Sequence, residues 1–230
     1  MTYVLHYAPD NASLIVRMAL EHRGLAYETR LVDRRTQEQK GATYLALNPQ
    51  GLIPTLETPN GPIFETAAIL LWLADTHGGL GPSPEDVRRG AFLKWLFFLS
   101  NTAHAALRRL FYPDQYVEGP KDPVRKGATR ALTGHFASLE RIAGQPDVPL
   151  GLPNPTVLDF YVCAMLRWSA IYPQSYDRSW FALAQYPALA EICERVEALP
   201  CTSCLHVTEG LGTQPFTHPH PPQPPEGSAT

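Results

Sequence analysis

Cysteine is sparse in this chain: four residues in 230, all beyond position 160. That spread gives no disulfide framework and fits a reducing compartment. Charge of one sign is missing as well. Nineteen Lys and Arg against 22 Asp and Glu leave a net −3, so no basic face calls for nucleic acid or an anionic membrane. No apolar run reaches the roughly 18 residues of a membrane span. The start, MTYVLHYAPDN, lacks a basic segment followed by a long apolar core, so no signal peptide is expected. These absences point to a cytoplasmic globular protein. Its 44% hydrophobic residues can supply an ordinary core.

Proline, by contrast, is abundant, with 23 residues, and its placement is informative. In NPQGLIPTLETPNGPIFETAAILLWLAD, residues 48–75, a strand opens at Ile53-Pro54. A turn follows at Pro59 to Pro62, then a second strand, and Glu65-Thr66 stands directly before an apolar helical run. Proline cannot donate within a ladder and is the usual place for a cis peptide. A cis Ile53-Pro54 would offer the Ile53 backbone to an extended peptide as an added strand. Thr66 at a helix start would add a hydroxyl to unpaired N–H groups that attract a carboxylate, and Glu65 could accept from an ammonium. Strand, turn and a plain N-cap is the simpler alternative.

Along the chain the expected order is β-α-β-α-β-β-α over residues 1–78, a Gly/Pro linker at 79–84, and helices only over 85–212. Helices are expected at 85–112 (one long helix, bent near its end), 123–142, 156–171 and 186–199, with a last turn or two after 201. The 213–230 tail is rich in proline and histidine and is expected to be disordered or draped on the surface. Thr156 to Asp159 has capping-box logic and a folding role. Cys201-x-x-Cys204 has redox spacing, but it lies far from the first helix, where such a motif would act.

Together the Pro54 strand, Glu65-Thr66, the Thr156–Asp159 box and the helix WLFFLSNTAHAAL resemble glutathione transferases over residues 2–212. The nearest group is the bacterial beta class, whose Tyr-x-Pro-Gly-Ala-Cys-Ser-Leu pattern is similar to YAPDNASL here. The resemblance implies a thioredoxin-like α/β domain followed by an all-helical one. It also implies glutathione as co-substrate, no metal, a homodimer, and conjugation of a hydrophobic electrophile in detoxification. Alternatives on the same fold are an isomerase, a peroxidase, a dehalogenase or a non-catalytic binding protein. Asn11, Gln50, Ile53, Pro54, Glu65 and Thr66 would hold glutathione. His104 falls on the class histidine and is a catalytic candidate that could donate to the thiolate or steer the electrophile, with Phe111 and Tyr112 as further walls of the electrophile pocket. The acid two positions before that histidine falls on Thr102, which leaves contacts from a second subunit open. Arg108 and Arg109 either meet the glycyl carboxylate or are solvated, and the solvated reading is preferred.

The class cysteine falls on Ala12, which removes its mixed-disulfide chemistry. Another group must then stabilise the glutathione thiolate. Lowering a thiol from about 8.5 to about 6.5 needs about 2.7 kcal/mol. A helix N-terminus supplies about 0.3–2 kcal/mol, and a hydrogen bond to the charged sulfur about 1.5–3 kcal/mol. Ser13 is the first candidate for that bond, Tyr7 the second, and Asn11 or a backbone N–H the third.

Overall fold

The computed structural model describes residues 2–229. Strand β1 (Tyr3–Tyr7) leads through a tight loop into helix α1 (Ser13–His22), and β2 (Tyr27–Leu31) returns parallel to β1. A short α2 (Ala42–Leu45) follows. Next comes the hairpin of β3 (Thr55–Thr58) and β4 (Gly61–Phe64), and then α3 (Thr66–His77). The sheet order is β2-β1-β3-β4, with β3 antiparallel to β1 and Leu5 opposite Leu56. Leu5, Leu56 and the α1 residues Leu14, Ile15 and Met18 are fully buried, and α1 packs against α3. This half is thioredoxin-like.

The second half is helical. It comprises α4 (Arg89–Phe97), α5 (His104–Phe111), α6 (Asp122–Ile142), α7 (Val157–Ile171), α8 (Pro187–Glu197), α9 (Pro200–Ser203) and α10 (Leu205–Thr208). One expectation needs correction. The stretch 85–112 is not one α-helix. Asp86 accepts the Arg88 N–H at 2.7 Å and holds a turn, so α4 starts only at Arg89. Between α4 and α5 the backbone widens into a π-helical segment, Phe98–Ala103. Such wide turns shift the register of the side chains that follow them and recur at functional sites.

Helix α7 is the spine of the molecule, buried along nearly its whole length and packed on α1 of the first half. Its start is fixed as the capping box requires: Thr156 Oγ1 accepts the Leu158 N–H at 3.2 Å, and Asp159 accepts the Thr156 N–H at 2.7 Å. The Leu80 carbonyl takes the Val157 N–H at 2.9 Å and joins the linker to this cap.

Beyond α10 the chain turns at Gly210 and runs back over both halves. Gly210 has φ 65, and a Cβ there would meet the Gln223 carbonyl, so this crossing requires glycine. The Glu197 carboxylate takes the N–H groups of Phe216 and Thr217, and Phe216 is buried. Arg167 donates to the carbonyls of Pro215 and His220. Among the described residues no helix is long and apolar enough to cross a membrane.

Candidate active site

A cavity of about 510 Å³ opens between the halves. Its floor comes from the loop joining β1 to α1. Asp10 there adopts φ 48, the left-handed region, and is almost wholly buried. Its carboxylate accepts from Arg167 Nε (2.9 Å) and Nη2 (3.0 Å), Trp168 Nε1 (2.9 Å) and Tyr172 Oη (2.8 Å). Four donors, two of them from the buried Arg167 guanidinium, satisfy it, so Asp10 presents no free negative charge to the cavity. It locks the loop to α7. Its backbone N–H donates to buried Glu209, which also takes Arg17 Nε at 2.7 Å. Burial raises the Glu209 pKa to about 7 despite that guanidinium.

One wall is the segment expected to hold a peptide. The Ile53-Pro54 bond is cis, and both residues line the cavity. The preceding turn is clamped from inside: Asn48 Nδ2 (2.8 Å) and Tyr44 Oη (2.6 Å) both donate to the Leu52 carbonyl. Glu65 holds φ 71 immediately before α3, a conformation that costs a non-glycine residue about 1 kcal/mol or more. That turn lets Glu65 and the first residues of α3, Thr66 and Ala67, all border the cavity. Thr66 is 8% exposed.

The opposite wall is α5 and the end of α7. Ser100, His104 and Arg108 follow at i, i+4 spacing through the π-helical segment into α5, and all three face the cavity. Phe111, Tyr112 and Tyr172 complete an aromatic end, with the Phe111 ring 6.1 Å from that of Tyr172. His104 Nδ1 lies 2.9 Å from the Tyr161 hydroxyl, and the imidazole packs 5.6 Å from Trp168. Burial, and then the Arg108 charge, lower the His104 pKa to about 4, so the ring is neutral at pH 7. Burial drives Tyr161 far up, and it keeps its proton.

Two candidates for thiol activation are withdrawn from the cavity. Ser13 is fully buried, and its hydroxyl is spent on Ala8, donating to the carbonyl at 3.0 Å and accepting the N–H at 3.3 Å. It staples the loop to α1. Tyr7 is 3% exposed and donates to Glu226 of the returning tail, with the Arg17 guanidinium 4.6 Å over its ring. Neither residue borders the cavity. Gln50 is exposed on the 48–51 turn, outside the cavity wall. Asn11 and Ala12 do border it. Asn11 Oδ1 accepts the Ala12 N–H at 2.7 Å, which leaves the side-chain amide as a donor. Arg108, read as solvated, lines the cavity, while Arg109 lies outside it with its guanidinium 5.9 Å from the Tyr116 ring.

Several cavity residues gave no local signal: Arg34 after β2, Tyr161 of the buried helix, Tyr172 just past its end, and Ala229 of the tail, whereas the sequence already suggests Trp168 as core or pocket wall. Cys201 and Cys204 are free and outside the cavity, and burial pushes the Cys204 thiol up to about 11.

Residues 12–76 match the family model for the N-terminal domain of glutathione S-transferases. Glutathione S-transferase GST-4.5 of Xanthomonas campestris is 28% identical over 177 residues, 72% of this chain and 81% of that one. A maleylacetoacetate isomerase of Rhizobium meliloti is 36% identical over a shorter stretch, 36% of this chain and 39% of its own. Two solved structures are 27% identical and cover 87% of this chain and 96% of theirs. They are the beta-class enzyme of Sphingomonas chungbukensis (TM-score 0.71) and a sphingomonad glutathione S-transferase complexed with glutathione (TM-score 0.73). A matching N-terminal model, a relative matched through most of its length and a beta-class structure covering both halves all support a glutathione S-transferase family, on its beta-like side.

Proposed function

We propose that the protein conjugates the glutathione thiolate to a hydrophobic electrophile. One observation carries this reading: a single cavity joins the Ile53-Pro54 segment and the start of α3 to an aromatic wall from the helical half. The γ-glutamyl carboxylate would take the Thr66 hydroxyl and the unpaired N–H groups of α3, and Glu65 would accept from its ammonium. Ile53 would pair with the cysteinyl backbone. The sulfur would then face Asn11, Ala12 and His104.

Of the groups first considered for activation, Asn11 alone keeps a side-chain donor at the cavity. An amide N–H to a thiolate contributes about 1.5–3 kcal/mol, and the start of α1 about 0.3–2 kcal/mol, which together meet the requirement of about 2.7 kcal/mol. His104 would act as a neutral donor: if Tyr161 donates to Nδ1, the ring proton resides on Nε2. The thiol proton leaves to solvent and the sulfur lone pair forms the new S–C bond. The displaced group departs with its bonding pair, or, in an addition, the adjacent carbon takes up a proton.

Calorimetry with glutathione followed by turnover of a chlorinated nitrobenzene tests the reading, and no heat at millimolar glutathione would sink it. A second reading is a glutathione-binding protein without transferase activity, motivated by the withdrawal of both hydroxyls, Ser13 and Tyr7, from the cavity. Thiolate absorbance of the bound complex at neutral pH discriminates the two. A cytoplasmic homodimer in which the helical halves meet belongs to the same proposal, and sedimentation velocity checks the dimer.

A further inference from the structure

The aromatic end of the cavity is also cationic. Arg34 and Arg108 come from opposite halves and stand around one ring, with their guanidinium carbons 6.0 Å and 5.7 Å from the centre of Tyr112. Five arginines elsewhere pair with carboxylates (Arg17 with Glu209, Arg35 with Asp33, Arg88 with Asp86, Arg89 with Asp75 and Arg167 with Asp10), and others, such as Arg125, Arg178 and Arg195, donate to backbone carbonyls outside the cavity. Among the described residues Arg34 and Arg108 have only neutral partners. Arg34 donates to the Tyr112 hydroxyl at 2.9 Å and to the Ala229 carbonyl, and Arg108 donates to Gln115 Oε1 at 3.0 Å. A guanidinium has five N–H donors, so both retain capacity for an anion. The acids that border the cavity do not fill this role: Asp10 is saturated by four donors, and Glu65 stands at the start of α3.

Spacing along α5 places this charge relative to the sulfur. His104 and Arg108 are four residues apart, about 6 Å along the axis at 1.5 Å per residue. One planar ring between the sulfur and a terminal anion spans such a distance. Phe111, Tyr112 and Tyr172 offer faces and edges for that ring.

From this juxtaposition we infer that the second substrate is a planar, unsaturated electrophile carrying a carboxylate, gripped by Arg34 and Arg108 with its ring against Tyr112. The inference rests on the glutathione reading above and specifies the electrophile for the same site. A neutral hydrophobic compound would leave both cations without a carboxylate partner among the described residues, whereas a carboxylate would offset one of the two charges and accept hydrogen bonds from both guanidiniums.

Equilibrium titration with three probes tests it without requiring turnover: glutathione, S-benzylglutathione and S-(4-carboxybenzyl)glutathione. The wild-type protein should bind the carboxybenzyl conjugate about tenfold or more tightly than the benzyl conjugate. Arg108→Gln and Arg34→Gln should each erase most of that preference, with folding verified by circular dichroism. Equal affinities of the wild type for the two conjugates, with glutathione itself bound, would overturn the inference and leave the glutathione reading standing. So would an equal loss of affinity for unmodified glutathione in both variants, since the guanidiniums would then serve the tripeptide. If none of the three probes binds, the glutathione reading fails and this inference fails with it.

Discussion

Ser13 and Asn11 are two residues apart, yet the fold gives them opposite tasks. The serine turns inward and closes a ring with both polar groups of Ala8, while the asparagine remains at the cavity. Ser13→Ala should therefore leave the pKa of bound glutathione unchanged but lower stability by about 1–3 kcal/mol, because two buried backbone groups lose their partner. Asn11→Ala should do the reverse: thiolate titration at 240 nm should show the bound thiol raised by about one to two units. Thr66→Ala should weaken glutathione about tenfold by calorimetry, through the loss of a hydrogen bond to a carboxylate. Unchanged affinity would remove Thr66 from the proposed site. The residue types at the start of α1 were legible in the sequence, but their direction was not. Spacing places 11, 12 and 13 at one helix start and does not say which side chain the loop turns into the core. Only the left-handed Asp10, held by three donors from α7 and by Tyr172 just past its end, decides that.

At the scale of elements, loop and helix are joined by charge in a dry setting. Arg167 and Asp10 are both buried, and removal of one partner leaves the other uncompensated, at a cost of about 3–5 kcal/mol. Arg167→Met should accordingly shift the urea midpoint strongly downward. His104 adds a pH dependence with a definite sign. Its pKa is about 4 in the folded protein against 6.5 for a free imidazole, so below pH 6.5 the unfolded chain binds more protons. The stability due to the neutral ring is fully present above pH 6.5 and is lost as pH falls toward 4. The upper bound is about 3 kcal/mol, reduced where water in the cavity reaches the ring. Denaturation midpoints for His104→Gln should lack this component. The sequence showed the helical elements well, because their apolar spacing is local. It gave no notice of the π-helical segment ahead of His104, which depends on how α4 and α5 pack against neighbours far along the chain.

At the scale of the whole molecule, the two halves are joined along α1 and α7 and the tail crosses both. Composition alone left that tail either disordered or draped on the surface. Its anchors are single residues whose partners lie far away in the chain, such as Phe216 in the core and Glu197 beneath two backbone N–H groups. Phe216→Ala should cost about 3–5 kcal/mol, an amount typical of a buried phenylalanine. Protease susceptibility after Arg167→Met should rise first in residues 213–229, because that side chain also holds two tail carbonyls.

The tail also has a practical meaning at the bench. Ala229 borders the cavity and its carbonyl takes a hydrogen bond from Arg34. Any chain fused beyond that point must leave past the place where the second substrate would enter. A purification tag attached there would thus alter the proposed substrate pocket. Kinetic constants from differently tagged preparations should be compared only after the tag has been moved to the other end.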